Sequence, residues 1–234
     1  MLADLIANDE EGAEWFRGDL RKLDGVLAKA GLAAHIEPVE GAVHSASTYG
    51  YSGLHYLRRC AAHLQYNGHL PPPLAPKEQA MHDPVYTRYS AEFVDENDGV
   101  EPGALAKPSS RRFDHLLMHS DAEGFYVPQD FDRVVIAGDE SYGWVGSSHA
   151  LRNECVRLAA VLELPNDLLA DYESERFHEA IETARRGNKS WSLFKSRPAS
   201  RAAWEQHPIA AMLCAKLHGF SEHSINAGSL LVFC

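Results

Sequence analysis

The sequence predicts an α+β protein in which several helices pack on a mostly antiparallel sheet, with a helix-rich C-terminal half. Apolar residues recur every three to four positions on both sides of the centre of the chain, as amphipathic helices require. Short apolar runs separated by polar turns fill the centre, which is typical of strands. With 234 residues, 45% hydrophobic and 24% charged, the chain can bury a full core without disulfides. We therefore expect a single α+β domain over residues 1–234.

Two helices are predicted in the first part of the chain. The apolar pattern of residues 11–30 indicates an amphipathic helix that ends near Gly31, a residue type favoured after a helix C-terminus. A second helix begins after Ser52, which is placed as its N-cap, and stops near Asn67. A short extended piece should connect the two.

A long surface segment and a central sheet should follow. Residues 69–110 are punctuated by proline and carry an acidic run, so we expect a surface excursion around one edge strand at 85–94. The acidic part of this segment is where we would first look for contacts with a partner. The next apolar runs predict strands at 113–119, 124–127 and 133–137.

The C-terminal half should be mainly helical. Serine and proline residues at helix starts, and glycines at helix ends, set the expected boundaries. The predicted elements are helices from Ser147 or Ser148 to 162, from 166 to 186 and from 200 to 219, and a strand at 229–234.

The charge balance and the cysteines restrict the partner and the compartment. Because 33 acidic residues outnumber 22 basic ones, giving a net charge of −11, we expect neither nucleic acid nor a membrane as partner and favour a basic protein. The beginning of the chain lacks the pattern of a signal peptide, and the four cysteines form no CxxC pair. We therefore predict a cytoplasmic protein with reduced thiols, of unknown cofactor and oligomeric state.

The densest polar cluster supplies the candidate catalytic residues. His119, Asp121 and Glu123 lie at the end of a predicted strand and in the turn that follows it. Imidazole and carboxylate groups there could act as general acid and base. The competing interpretation is that Asp121 satisfies backbone donors in the turn. In a strand, His115 and His119 would stand about 13 Å apart, too far to share one ion, so no metal site is predicted.

A second candidate is an anion-binding helix start. Ser52, His55, Arg58 and Arg59 lie near the N-terminus of the second predicted helix, where backbone donors and the helix dipole both favour negative charge. The segment lacks the glycine spacing of a phosphate-binding loop. The alternative is an ordinary helix cap with surface arginines.

Two short blocks resemble uncharacterised bacterial proteins of the YfbM-like kind. They are the helix sequence Ser52-Gly53-Leu54-His55-Tyr56-Leu57 and the turn-strand Asp121-Ala122-Glu123-Gly124-Phe125-Tyr126-Val127-Pro128. The resemblance covers about 20 residues. It implies a compact α+β domain and no particular activity, so it identifies no catalytic residue.

Two functional hypotheses follow from these features. The first is a cytoplasmic acidic protein that acts by binding a macromolecule, for example an immunity- or antitoxin-like neutraliser, since charge complementarity raises association rate and selectivity. The second is a small hydrolase or nucleotide-handling enzyme that uses His119, Asp121 and Glu123, with Arg58 and Arg59 holding an anionic substrate. This second hypothesis requires the turn after residue 119 to face the helix that starts at Ser52.

Overall fold

The computed structural model describes residues 10–38, 51–75, 78–119, 124–138, 143–191 and 201–233. Within these ranges it contains nine α-helices and a five-stranded sheet. The helices are α1 (Glu10–Lys29), α2 (Tyr51–Asn67), α3 (Pro84–Glu96), α4 (Asp114–Leu117), α5 (Ser148–Val161), α6 (Asn166–Ala170), α7 (Glu175–Trp191), α8 (Ala203–Gln206) and α9 (Pro208–Ala227). The strands are β1 (Ala104–Leu105), β2 (Gly124–Val127), β3 (Val135–Ile136), β4 (Trp144–Ser147) and β5 (Leu231–Phe233). The predicted α+β class with a helix-rich C-terminal half is confirmed.

The sheet is mixed rather than purely antiparallel. Its strand order is β1-β3-β4-β2-β5. Strands β2 and β4 run parallel, with Tyr126 opposite Gly146, and the other three neighbouring pairs are antiparallel. The parallel pair requires a connection that returns to the same end of the sheet, and strand β3 lies within that connection on the far side of β4.

The sheet separates two apolar cores because its interior strand β2, between β4 and β5, alternates its side chains. Phe125 and Val127 face α1, where they pack with Leu23 and Leu27. Tyr126 points to the opposite face and joins the larger core formed by the remaining helices. Helix α9 is central to that larger core and packs chiefly against α5 and α2. Every residue of β2 is consequently buried.

Residues 84–96 form a helix, so the strand predicted at 85–94 is wrong. Asp83 caps the helix by accepting hydrogen bonds from the backbone of Val85 and Tyr86, and Pro84 occupies the first turn, where proline is tolerated. Tyr89 and Phe93 are fully buried, one helical turn apart. The aromatic residues of this segment therefore belong to the core, and the proline-rich stretch 69–110 is not wholly a surface excursion.

The strand predicted at 113–119 is also wrong, because residues 114–117 form the short helix α4. All residues from His115 to His119 are buried. A run that is apolar on every side does not reveal its own periodicity, so a buried helix and a buried strand look alike in sequence.

Helix α9 continues past Gly219, where the sequence predicted its end. A Cβ atom at Gly219 would overlap the ring of Tyr172, so the glycine serves close packing of α9 against the turn between α6 and α7. The helix ends instead at Gly228, whose φ of 66° is the left-handed conformation of a helix C-terminus. In the described part of the chain, no helix is long and apolar enough to cross a bilayer.

Candidate functional site

The helix that carries Arg58 lies next to the segment that ends at His119, as the enzyme hypothesis requires. Arg58 contacts this segment directly, however. Arg58 is buried, and its Nε donates to the carbonyl oxygen of Leu116 at 2.8 Å. One of its terminal nitrogens donates to the carbonyl oxygen of His119. The guanidinium group is therefore committed to backbone carbonyls inside the protein.

His119 is packed as an aromatic residue. Its ring stacks on Tyr126 with centroids 4.0 Å apart and an interplanar angle of 10°. The ring also covers Gly124, where a Cβ atom would lie 2.7 Å from His119 Cε1. Asp121 and Glu123 lie outside the described residues. The catalytic role of His119, Asp121 and Glu123 thus stays a prediction.

The remaining anion-site residues are spread over three environments. Arg59 is buried and donates to Asp83 at 2.6 Å and to the carbonyl oxygen of Pro72 at 3.0 Å. His55 Nδ1 lies 3.3 Å from the hydroxyl group of Tyr86. Ser52 is in the first turn of α2, and its side chain is outside the described set. Arg58 and Arg59 therefore bind groups of this chain, and their role toward an external anion stays a prediction.

Asp83 is the centre of a buried ion-pair cluster that the sequence analysis missed. Besides Arg59 it binds His63, whose Nε2 lies 3.0 Å from Oδ1. Burial raises the pKa of Asp83, but hydrogen bonds from Arg59, His63 and two backbone N–H groups outweigh it, so the pKa lies below its ordinary value. The cluster joins α2 to the start of α3. An aspartate followed by proline and an apolar stretch is a helix-start pattern that could have revealed the cap.

A second buried polar centre links α4, α5 and β4. Glu154 accepts hydrogen bonds from the backbone N–H groups of His115, at 3.1 Å, and Leu116, at 2.7 Å. The Nδ1 atom of His115 accepts from the N–H group of Ser147 at 3.0 Å, so the neutral ring carries its proton on Nε2. Burial raises the pKa of Glu154 well above its usual range and lowers that of His115 to about 4. Glu154 lies three residues after Leu151 on the apolar side of α5, and this spacing is the sequence signal for its burial.

The described residues contain no group of three or more histidine, cysteine, aspartate or glutamate side chains placed to hold a metal ion. Cys60, Cys155 and Cys214 are free thiols in the core. Burial raises the pKa of Cys60 to about 12, which keeps it a thiol at neutral pH.

Charged residues are distributed unequally between interior and surface. Among the described residues, the fully buried class contains the basic side chains of Arg58, Arg59 and Lys216 but a single acidic one, Glu154. The side chain of Arg111 is also only 5% exposed. Because these cations are withdrawn from solvent while most of the described carboxylates remain outside, the surface formed by the described residues is more acidic than their sequence alone suggests.

One acidic surface lies at the C-terminus of α3, and we call it the α3 acidic end. It consists of the exposed residues Asp95, Glu96, Asp98 and Glu101. Glu96 pairs with Arg111 at 2.7 Å, whereas Lys107 reaches the backbone oxygen of Asp98 and not its carboxylate. The last turn of α3 contains no basic residue. Carboxylates here oppose the helix dipole, so they reduce helix stability and concentrate negative potential.

A longer acidic surface runs along the helices that follow α5, and we call it the α6–α7 acidic face. Between residues 163 and 182, Arg176 is the only lysine or arginine, and it pairs with Asp167. The next basic residue, Arg185, pairs with Glu182 at 3.0 Å. Phe177, Ile181 and Ala184, three to four residues apart, are buried on one side of α7, whereas Glu175 and Glu179 are exposed. The acidic residues of the face are Glu163, Asp167, Asp171, Glu173, Glu175, Glu179 and Glu182.

Residues 1–233 match the sequence model of a family described as "Putative DNA-mimic protein". The chain belongs to that family. No curated protein and no solved structure matches the chain significantly. Membership of a DNA-mimic family agrees with an acidic protein that acts by binding macromolecules.

The family corrects the partner prediction. We expected a basic protein partner and no involvement of nucleic acid, because a net charge of −11 repels phosphates. The family description names DNA as the molecule that such a protein imitates, so nucleic acid does bear on its recognition. The same charge that prevents binding to DNA is what makes a protein resemble it.

We expect Asp83→Ala to destabilise the protein by about 3 kcal/mol, because it removes a helix cap and leaves Arg59 buried without its carboxylate. Urea denaturation measures the change. Asp98→Ala, an exposed aspartate, is the matched control and should alter the free energy of unfolding by about 0.5 kcal/mol or less. A loss below about 1 kcal/mol for Asp83→Ala would show that Arg59 finds another acceptor.

We also expect His115 to weaken the fold in mild acid. Its folded pKa of about 4 lies below the ordinary value of 6.5, so between these pH values the unfolded chain binds the proton more strongly and stability falls as pH falls. His115→Asn keeps an acceptor for Ser147. The variant should therefore lose about 2 kcal/mol less than wild type between pH 6.5 and pH 4.5.

The raised pKa of Glu154 increases stability as pH falls, which is opposite to the effect of His115. This contribution is present in both wild type and His115→Asn, so the difference between their pH profiles isolates His115. His69→Asn, at an exposed position, is the control and should follow the wild-type curve. Superimposable pH profiles for wild type and His115→Asn would contradict the assignment.

Proposed function

We propose that this protein is a DNA mimic that occupies the DNA-binding surface of a DNA-binding protein and so keeps that protein from duplex DNA. The observation that carries the proposal is the family match over residues 1–233. The mimic would act in the cytoplasm, as the sequence predicts. Neutralisation of the occupied protein would follow directly, which retains the predicted neutraliser role with a different class of partner.

The unequal distribution of charge supports this proposal. DNA-binding surfaces carry lysine and arginine residues that neutralise phosphates, and this electrostatic contribution dominates their affinity. A protein that buries Arg58, Arg59 and Lys216 while exposing its carboxylates presents the same sign of charge to such a surface. The positive surface of the partner would accelerate the encounter.

The α6–α7 acidic face is the surface we assign to the contact. On α7, Glu175 and Glu179 are one turn apart, about 6 Å along the helix axis, and Glu182 follows after about 4.5 Å. One strand of duplex DNA carries a charge about every 3.4 Å. A rigid helix thus holds carboxylates in a line at a somewhat lower density than phosphates. The α3 acidic end is shorter. Each surface has carboxylates paired with arginine, Glu96 with Arg111 at the α3 acidic end and Asp167 and Glu182 with Arg176 and Arg185 on the α6–α7 acidic face, but Glu175 and Glu179 are exposed.

The rival hydrolase or nucleotide-handling hypothesis gains no support from the described residues. It relied on Arg58 and Arg59 as ligands for an anionic substrate, and both guanidinium groups bind acceptors within the protein. We therefore advance no second function.

The direct test is displacement of DNA-binding proteins from duplex DNA. Proteins retained on a duplex-DNA resin from the source cells are eluted with this protein, and an unrelated acidic protein of similar net charge serves as control. Each eluted protein is purified and titrated against fluorescent DNA. We expect competition for one or a few of them, because a mimic fits particular DNA-binding surfaces. Elution of the same set by both acidic proteins would contradict mimicry.

Two matched triple variants locate the contact. Asp171→Asn/Glu175→Gln/Glu179→Gln neutralises the α6–α7 acidic face, and Asp95→Asn/Asp98→Asn/Glu101→Gln neutralises the α3 acidic end. Both have the same net charge, and all six positions are exposed, so folding should be preserved. We expect the first variant to lose about tenfold or more in competition and the second about twofold or less. Equal losses would show that only net charge matters.

Salt dependence gives an independent prediction. DNA releases condensed counterions when a protein binds it, so a complex with 6 to 10 phosphate contacts weakens about 10³- to 10⁵-fold between 50 and 200 mM salt. The carboxylates of a folded protein are screened but carry no such condensed layer. For the same partner, the mimic complex should therefore weaken at least about tenfold less than the DNA complex. Parallel salt dependences would contradict this prediction, and fluorescence anisotropy at several salt concentrations measures both.

A further inference from the structure

A cleft lies between α7 and α8, beside the α6–α7 acidic face. Its volume is about 320 Å³, at the small end of the range of ligand pockets, so it suits one side chain better than an extended molecule. Trp204 of α8 lines it, together with Glu205 on the same helix and Glu179 on α7. The cleft thus combines an aromatic ring with carboxylates from both walls.

The aromatic side of the cleft is held in place by the fold. Trp204 is half-buried and packs against the larger core. Helix α8 is anchored to the residue that follows α5, because the N–H group of Ala203 donates to Glu163 at 2.9 Å. The helix is also capped from within, since the N–H group of Ala202 donates to Glu205 at 3.2 Å. A fixed indole loses little conformational entropy when a ligand covers it, which favours its use as a contact residue.

Two arginines and two glutamates line the cleft, and they differ in what they already bind. Arg176 pairs with Asp167, the guanidinium group of Arg201 packs against Gly187, and Glu205 accepts from the backbone N–H group of Ala202. Glu179 is exposed and makes no hydrogen bond or ion pair with any described residue. Its carboxylate is therefore open to a cation that enters the cleft from outside.

We propose that this cleft receives an arginine side chain of the DNA-binding partner. The guanidinium group stacks on the indole ring of Trp204 and donates hydrogen bonds to Glu179. The inference rests on the proposed function, because arginine is the residue that DNA-binding surfaces use most for phosphates and guanine edges. Its planar, weakly hydrated cation matches both an aromatic face and a carboxylate, whereas the ammonium group of lysine is more strongly hydrated.

The same contact explains how a protein mimic gains selectivity. Rows of carboxylates attract any positive surface, so they increase the association rate more than they distinguish between partners. A pocket that accepts one arginine in a defined orientation rewards partners that place an arginine at that distance from the α6–α7 acidic face. The cleft thus selects among DNA-binding proteins that the acidic face attracts equally.

The test uses the full-length protein labelled with ¹⁵N at tryptophan and the blocked tripeptide Gly-Arg-Gly as probe. The indole N–H signal of Trp204, identified by its loss in Trp204→Phe, should shift saturably at millimolar peptide. A peptide with citrulline in place of arginine has the same shape and no charge, and it should bind at least about fivefold more weakly. The lysine peptide should bind about threefold more weakly.

Matched variants assign the carboxylate. Glu179→Gln should weaken binding of the arginine peptide about fivefold, whereas Glu175→Gln, one turn away on the same helix and outside the cleft, should change it less than about twofold. Both positions are exposed, so neither substitution disturbs the core. Equal effects of the two substitutions, or equal shifts of all indole signals, would overturn the proposal. A saturable shift of Trp204 with inorganic phosphate would also overturn it, because Arg176 and Arg201 would then form an anion site.

Competition with DNA separates this inference from the proposed function. If the arginine peptide binds the cleft and the single substitution Glu179→Gln also weakens competition with DNA, the cleft proposal and the proposed function are both supported. Intact competition with no peptide binding overturns the cleft and leaves mimicry in place. Peptide binding without any competition overturns the assignment of the arginine to a DNA-binding partner and, separately, the proposed function.

Discussion

The short helix α4 is held at its two ends by a buried carboxyl group and a buried guanidinium group, and the arrangement of the larger core depends on it. Glu154 accepts from the N–H groups of His115 and Leu116 at one end, and Arg58 donates to the carbonyl oxygens of Leu116 and His119 at the other. Each side chain satisfies backbone groups that a helix terminus leaves unpaired. Four residues of helix thus connect α2 to α5.

This arrangement also determines what lies next to α4. The Nδ1 atom of His115 accepts a hydrogen bond from the N–H group of Ser147, which precedes α5. The carbonyl oxygen of His115 accepts one from the hydroxyl group of Tyr126 on β2. Tyr126 in turn stacks on His119. His115 and His119 therefore help to join the helical layer to the sheet. Burial keeps His115 neutral at physiological pH, so it serves as a hydrogen-bonding group there.

Burial of arginine has a consequence for the surface as well. A buried guanidinium group is costly unless it finds acceptors, and Arg58 and Arg59 find them in backbone carbonyls and in Asp83. Interior cations leave fewer positive groups outside to neutralise the exposed carboxylates. The α3 acidic end, where carboxylates oppose a helix dipole, shows negative potential maintained at some loss of helix stability. An excess of exposed carboxylates over exposed cations fits the chain's DNA-mimic family and the role we propose for it.

The sequence by itself determined the α+β class, the amphipathic helices α1, α2 and α5, and the acidic balance, because periodicity, caps and charge are local or additive properties. It misassigned α3 and α4, since the burial of Tyr89 and Phe93 or of Leu116 depends on neighbours distant in sequence. It also could not show that Arg58 and Arg59 lie inside while Glu175 and Glu179 lie outside. Only the tertiary structure decided this, because a charged side chain is buried when distant backbone or carboxylate groups satisfy it, and no local pattern records those groups.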